Sequence, residues 1–324
     1  MTLASHVRTL GRGPGRARSL TMDEAHDAMQ HMLMSDADQA ATGALLMLLR
    51  MKGETAEEIA GLSAAAQAHV PTVPQADLDW PSYAAGRTRG LPWFLLSARL
   101  VAEAGFRVFL HGWNGPDGSV RNGIHAVGIP QARNTAEAAQ QLDTFNITYI
   151  AQESLMPKLF GLLALRDKLG LRSCINTVSR MVNPARAAAC VQGVFHPSYR
   201  LLQADVAALL GCHSLSVIKG GGGEFERNPA KSIEAFGLRD GLLWQSQWPA
   251  TRTEKLKLVS GPADKSTLSR VWSGEQEDAF ARDIVVGTAA AALATLGTPN
   301  AEIRATQLWD ARRRHAVSVK ETLQ

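Results

Sequence analysis

Four arginines, Arg8, Arg12, Arg16 and Arg18, fall within the first twenty residues, a stretch with no Asp or Glu. Guanidinium groups on the Gly-rich connection Gly11 to Arg18 are placed to reach outward and take phosphate oxygens as forks. The same residues suit a solvated loop paired with neighbouring carboxylates, and composition leaves both readings open. Residues 86–121 carry five arginines, among them Arg87, Arg89 and Arg121, against Glu103 and Asp117. Farther on, Lys219 is followed by four glycines and then Glu224 and Glu226. Glycines after a strand either let backbone N–H groups cradle a phosphate or make a plain turn, and the two glutamates are candidate cation ligands. His111, at the end of an apolar run, is either an acid–base group or a structural hydrogen-bonding residue.

A chain of 324 residues, 45% hydrophobic and 20% charged, buries a large core and divides into two structural units. The formal charge of +4 equals the excess in the first twenty residues, so the remainder is balanced. No apolar run is long enough to span a bilayer, and the N-terminus lacks the apolar core of a secretory signal, so cytoplasm and no membrane partner are expected. Cys174, Cys190 and Cys212 are widely spaced, which argues against a disulfide framework and structural zinc and for buried small hydrophobes.

Thr21 and Glu24 form a capping-box pattern ahead of Met22, Ala25, Met29, Met32 and Leu33, so the spacing predicts a helix over 22–34. Asp36 opens a second helix that ends at Gly53, and Thr55 with Glu58 opens a third that runs to about His69. Two prolines in 71–76 mark a linker. Beyond it, strands at 107–111, 147–151 and 214–218 alternate with helices near 92–104, 158–169, 197–210 and 278–296, the pattern of a mainly parallel sheet with helices on both faces. The stretch 244–270 is the least regular and is expected to loop over the surface.

Three separated segments, Leu169 to Ala185, Val191 to Tyr199 and Ala281 to Leu293, carry a resemblance. Over nearly its whole length the chain resembles anthranilate phosphoribosyltransferase and the wider nucleoside-phosphorylase-like glycosyltransferase family. The resemblance implies a small all-helical domain (1–70, joined by helices from about 173–192) and an α/β domain (77–324) with a mainly parallel sheet. It also implies homodimers through the helical domain and phosphoribosyl pyrophosphate bound on a Gly-Thr-Gly-Gly-Asp loop. Magnesium would sit on an Asp-Glu pair, and Arg172 would face an aromatic carboxylate.

The chain departs from that pattern at several points. In the window Asp79 to Arg87 only Gly86 remains of the glycines, and Trp80, Pro81 and Tyr83 are expected to obstruct the phosphate cradle. The family's lysine in Lys-His-Gly-Asn-Arg is Leu110 here, with His111, Gly112 and Asn114 kept. The acidic pair aligns with Phe225-Glu226, and a His-Pro of the acceptor side aligns with Met156-Pro157. Ser82, Gly86, His111, Gly112, Asn114 and Arg172 then form a vestigial substrate cleft with no catalytic residue, and anthranilate transfer is not expected.

This pattern resembles the YbiB-like paralogues of the transferase, which implies sequence-nonspecific binding of DNA or RNA with no cofactor. The candidate contacts are Arg8, Arg12, Arg16, Arg18, Arg87, Arg89, Arg121 and Lys219. The alternative is a glycosyl or phosphoribosyl transferase of altered specificity, in which the glycine run and His111 build a different anion site and magnesium is retained. A third reading makes the chain a partner-binding scaffold through the apolar stripes of 22–34 and 37–51.

Overall fold

The computed structural model describes residues 2–83, 90–113, 118–254, 256 and 264–322. The chain opens with four helices, α1 (Leu3–Gly11), α2 (Met22–Met32), α3 (Gln39–Lys52) and α4 (Ala56–Ala68). Both expected capping boxes form: Thr21 and Glu24 close the start of α2, and Thr55 and Glu58 that of α4. Each such cap contributes about 1 kcal/mol by satisfying N–H groups the helix leaves over. Helix α1 is an addition to the sequence reading. Leu3, His6 and Leu10 lie buried at helical spacing, and the basic residues beside them mask that stripe. Helices α2 and α4 pack at backbone distance, because a Cβ on Gly61 would lie 2.1 Å from the Met22 carbonyl oxygen.

An α/β unit follows, with strands β1 (Leu78–Ser82), β2 (Val108–Gly112), β3 (Gln131–Ala132), β4 (Ile147–Ala151), β5 (Ala189–Val194), β6 (Ser214–Lys219), β7 (Ile233–Arg239) and β8 (Leu242–Trp248). Their order in one sheet is β3-β4-β2-β1-β5-β6-β7-β8, parallel as far as β6 and antiparallel for the last two. The interleaved helices are α5 (Phe94–Glu103), α6 (Ser119–Ala126), α7 (Thr135–Phe145), α8 (Gln152–Leu155), α9 (Pro157–Ala164), α10 (Arg166–Leu169), α11 (Ile175–Met181) and α12 (Ser198–Leu209). Helices α13 (Ser266–Ser273), α14 (Ala279–Thr295) and α15 (Ala301–Thr322) end the chain.

Two apolar cores sandwich the sheet. One joins the helical unit and α9, α11 and α12 to one face, and the other packs α5, α13, α14 and α15 on the opposite face. Helix α11 packs on α4, whereas residues 189–192, expected as part of a helix, lie in Ala189–Val194, a central strand of the sheet. Trp244 to Trp248, the start of the stretch expected to loop over the surface, belong instead to the edge strand β8, paired along its length with β7.

Strand β1 also went unrecognised, because Pro81 sits within it. Pairing with β5 ends at Asp79, so the missing donor falls where no ladder bond is required. The expectation that Trp80 and Pro81 crowd a phosphate loop is corrected by the same fact. Both lie in the strand, and Trp80 is buried against Phe94 and Phe225.

Candidate functional site

The residues expected to line a vestigial cleft divide into three groups. Gly86 and Asn114 lie outside the described residues, as do Arg87 and Arg89 of the expected phosphate contacts. Ser82, His111 and Gly112 are fully interior. The Tyr83 hydroxyl meets His111 Nδ1 at 2.8 Å, and His111 Nε2 faces Asp79 Oδ1 at 3.2 Å. Asp79 Oδ2 accepts from the Cys190 thiol at 3.3 Å. Burial, with Tyr149 and Asp79 nearby, pushes the Tyr83 hydroxyl well above its ordinary range, so it stays a neutral donor. His111 is thus a fully buried hydrogen-bonding residue inside the sheet. Gly112 is required by close approach, since a Cβ there would lie 1.9 Å from the Ser82 carbonyl oxygen.

The glycine run resolves the same way. Gly220 N–H donates to Val194 O, Gly221 N–H to Glu226 O, Gly223 N–H to Gly220 O and Glu224 N–H to Gly221 O, so these donors serve the protein itself. Gly222 and Gly223 take φ values of +64° and +90°, and a Cβ on Gly220 would lie 1.6 Å from Glu224 O. The run is a tight turn that drives two carboxylates inward, not a phosphate cradle. Glu224, 1% exposed, accepts from the Ser82 hydroxyl at 2.9 Å, and Glu226, fully buried, accepts from the Phe94 N–H that opens α5 at 3.0 Å. With Phe225 buried against Trp80 between them, these residues do not fit a magnesium pair, which corrects the cation assignment. Among the described residues no group of three or more His, Cys, Asp or Glu side chains is placed to hold a metal ion.

Of the expected phosphate contacts, Arg8, Arg12 and Arg16 are exposed and have no carboxylate partner among the described residues, and Lys219 is exposed at the end of β6. The α1–α2 connection is a structured turn rather than a loose loop: Gly13 and Gly15 take φ values of +86° and +75°, and Arg18 N–H donates to Thr9 O. Two assignments are corrected. Arg18 grips Glu24 with two hydrogen bonds of 2.6 Å, and Arg121 is held by Glu153, so neither guanidinium is free for phosphate.

What the structure does open is a cleft of about 490 Å³ between the helical and α/β units. Arg50 comes from the end of α3, Arg166 and Arg172 from the α10 segment and the turn after it, Arg180 from α11, Phe195 and His196 from the β5–α12 turn, and Tyr199 from the first turn of α12. Arg50 Nη1 donates to the Arg172 carbonyl oxygen at 2.6 Å, which ties α3 to that turn. Burial, reinforced by the like charges of Arg166 and Arg50, pushes the Arg172 guanidinium below its ordinary value. Arg180, buried and hydrogen-bonded to Asn176, is pushed down to about 10 by burial above all. Only Glu54 and Asp167 offset these charges in the lining, so the cleft favours an anion. Of its arginines, the sequence reading placed only Arg172 here. The rest are scattered over 130 positions, and no local spacing betrays them.

The class follows from the fold and the matched segments. Residues 5–70 match the helical bundle domain of the glycosyl transferase family, and residues 95–310 match its a/b domain. The chain belongs to that family. Its relatives include anthranilate phosphoribosyltransferase 2 of Streptomyces coelicolor, 30% identical across 86% of this chain and 87% of that protein. The uncharacterized protein YbiB of Escherichia coli is 27% identical across 74% of this chain and 78% of its own. The crystal structure of anthranilate phosphoribosyltransferase from Thermus thermophilus shares the fold, with a TM-score of 0.78, 20% identity, and coverage of 96% and 94% of the two chains.

Proposed function

We propose that the protein binds nucleic acid without sequence preference and without catalysis, on a phosphoribosyltransferase scaffold. The observation that carries this reading is the position of Arg12 and Arg16. Both are exposed, without a carboxylate partner among the described residues, at the end of α1 that packs on Leu48 of α3, and Arg50 of α3 begins the cationic cleft. Clustered guanidinium charge of this kind binds any phosphate backbone by releasing its counterions. The inward carboxylates and the internally bonded glycine turn support the absence of phosphoribosyl transfer. A homodimer through the helical unit belongs to the same reading, and Met34 and Met51 stand 52% and 80% exposed on that unit. Sedimentation of the free protein tests it.

Fluorescence anisotropy with unrelated labelled DNA and RNA oligonucleotides at two salt concentrations tests the main reading. Salt-sensitive binding that is indifferent to sequence is expected, and no binding at low salt overturns it. In the doubly reversed variant R12E/R16E, affinity should fall at least about tenfold and equally for unrelated sequences, as each lost phosphate contact weakens binding uniformly. An unchanged affinity removes the α1–α2 turn from the interface. The second reading, a transferase of altered specificity, draws on the cleft and its retained Arg172. Turnover of phosphoribosyl pyrophosphate with magnesium and an aromatic acceptor would establish it.

A further inference from the structure

Phe195 is 60% exposed on the short turn between β5 and α12, and it lines the same cleft as Arg50, Arg166 and Arg172. Val194 before it is buried in the sheet, Pro197 stiffens the turn after it, and His196 holds the ring edge-on, 5.0 Å between centroids at 82°. Within the cleft, Gln203 is 1% exposed, yet its carbonyl oxygen Oε1 has no hydrogen-bond partner among the described residues. A lining that holds an exposed aromatic ring, this buried carbonyl oxygen and four arginines against two carboxylates suits a ligand that is planar, polar at its edge and anionic.

We infer that this cleft takes one unpaired nucleotide of a single strand, its base on Phe195 and its phosphate among Arg50, Arg166 and Arg172. The volume of about 490 Å³ lies within the range of sites that enclose a small molecule and matches one nucleotide better than a longer segment. A base stacked on an aromatic side chain contributes about 1–3 kcal/mol whatever its identity, so the interaction keeps the binding indifferent to sequence. A duplex has no free base face to offer, and the protein therefore discriminates single strands from double strands.

The inference rests on the nucleic-acid reading, and its test separates the two. Wild type, F195A and F195W are titrated against a labelled fifteen-nucleotide oligothymidine and against a duplex of the same length. Wild type should prefer the single strand. F195A should lose about tenfold or more toward oligothymidine with the duplex unchanged, and F195W should recover most of the loss. Phe195 is exposed, so an unaltered melting curve for F195A is the control for folding. If wild type binds neither probe, the nucleic-acid reading falls and this inference with it. If wild type binds but F195A matches it on oligothymidine, or weakens on both probes alike, the base-stacking cleft alone is overturned.

Discussion

Arg18 and Glu24 show what a charged pair does when geometry fixes it. The carboxylate accepts both guanidinium bonds and the Thr21 N–H, and this holds its carboxyl at about 2 against an ordinary value of 4.5. A folded-state value below the unfolded one means that the pair stabilises the protein above pH 4.5 and that the contribution is lost as pH falls toward 2. Both partners lie at the surface, so the effect is modest and falls with salt. In R18A, the urea midpoint should lie below wild type at pH 6, and the gap should narrow as the pH is lowered toward 2.5. A gap independent of pH would mean that Arg18 acts through packing. The same pair explains why residue type misled the sequence reading. Arg18 has the composition of a phosphate contact, but its partner lies six positions on, across the start of α2, and only the folded turn brings them together.

The glycine run is legible as a turn or as a cradle, and only the backbone directions decide. The sequence reveals four glycines after a strand; it does not reveal that their N–H groups bond back to Val194, Gly220 and Glu226. The prediction at this scale is that G220A is destabilised by about 3 kcal/mol or more, because a Cβ 1.6 Å from Glu224 O forces the turn and both inward carboxylates to move. Chemical denaturation measures it, and a loss under about 1 kcal/mol would mean the turn yields easily. Elsewhere the elements were readable where periodicity was strong. β4 falls on its expected residues, and α2, α4, α5, α12 and α14 fall within a few residues of theirs. Short elements with mixed signals escaped: β1 because of Pro81, β8 because its alternation sits in a polar stretch, and α1 because its stripe is three residues wide.

At the scale of the molecule, the cleft is a product of topology rather than of any motif. The parallel strands β5 and β6 end together, Val194 opposite Lys219 in register, and the β5–α12 turn at that end faces α3 and the turn after α10. Ligands of open α/β sheets gather outside the carboxyl ends of strands, so the position is one the fold offers to any anion. The proposed contacts are Arg8, Arg12 and Arg16, exposed on the helical unit, and Arg50, Arg166 and Arg172, which line the cleft. One phosphate at each of Arg8, Arg12 and Arg16 and one in the cleft make four phosphate contacts on a single strand, which predict that the logarithm of the binding constant falls against the logarithm of salt with a slope of about −3. Removing Arg12 and Arg16 together should flatten the slope to about −1.5 by deleting two contacts. Anisotropy titrations across a salt series measure both slopes. A slope near −1 for the intact protein would confine binding to a single phosphate, and the strand would then occupy the cleft without crossing the helical unit.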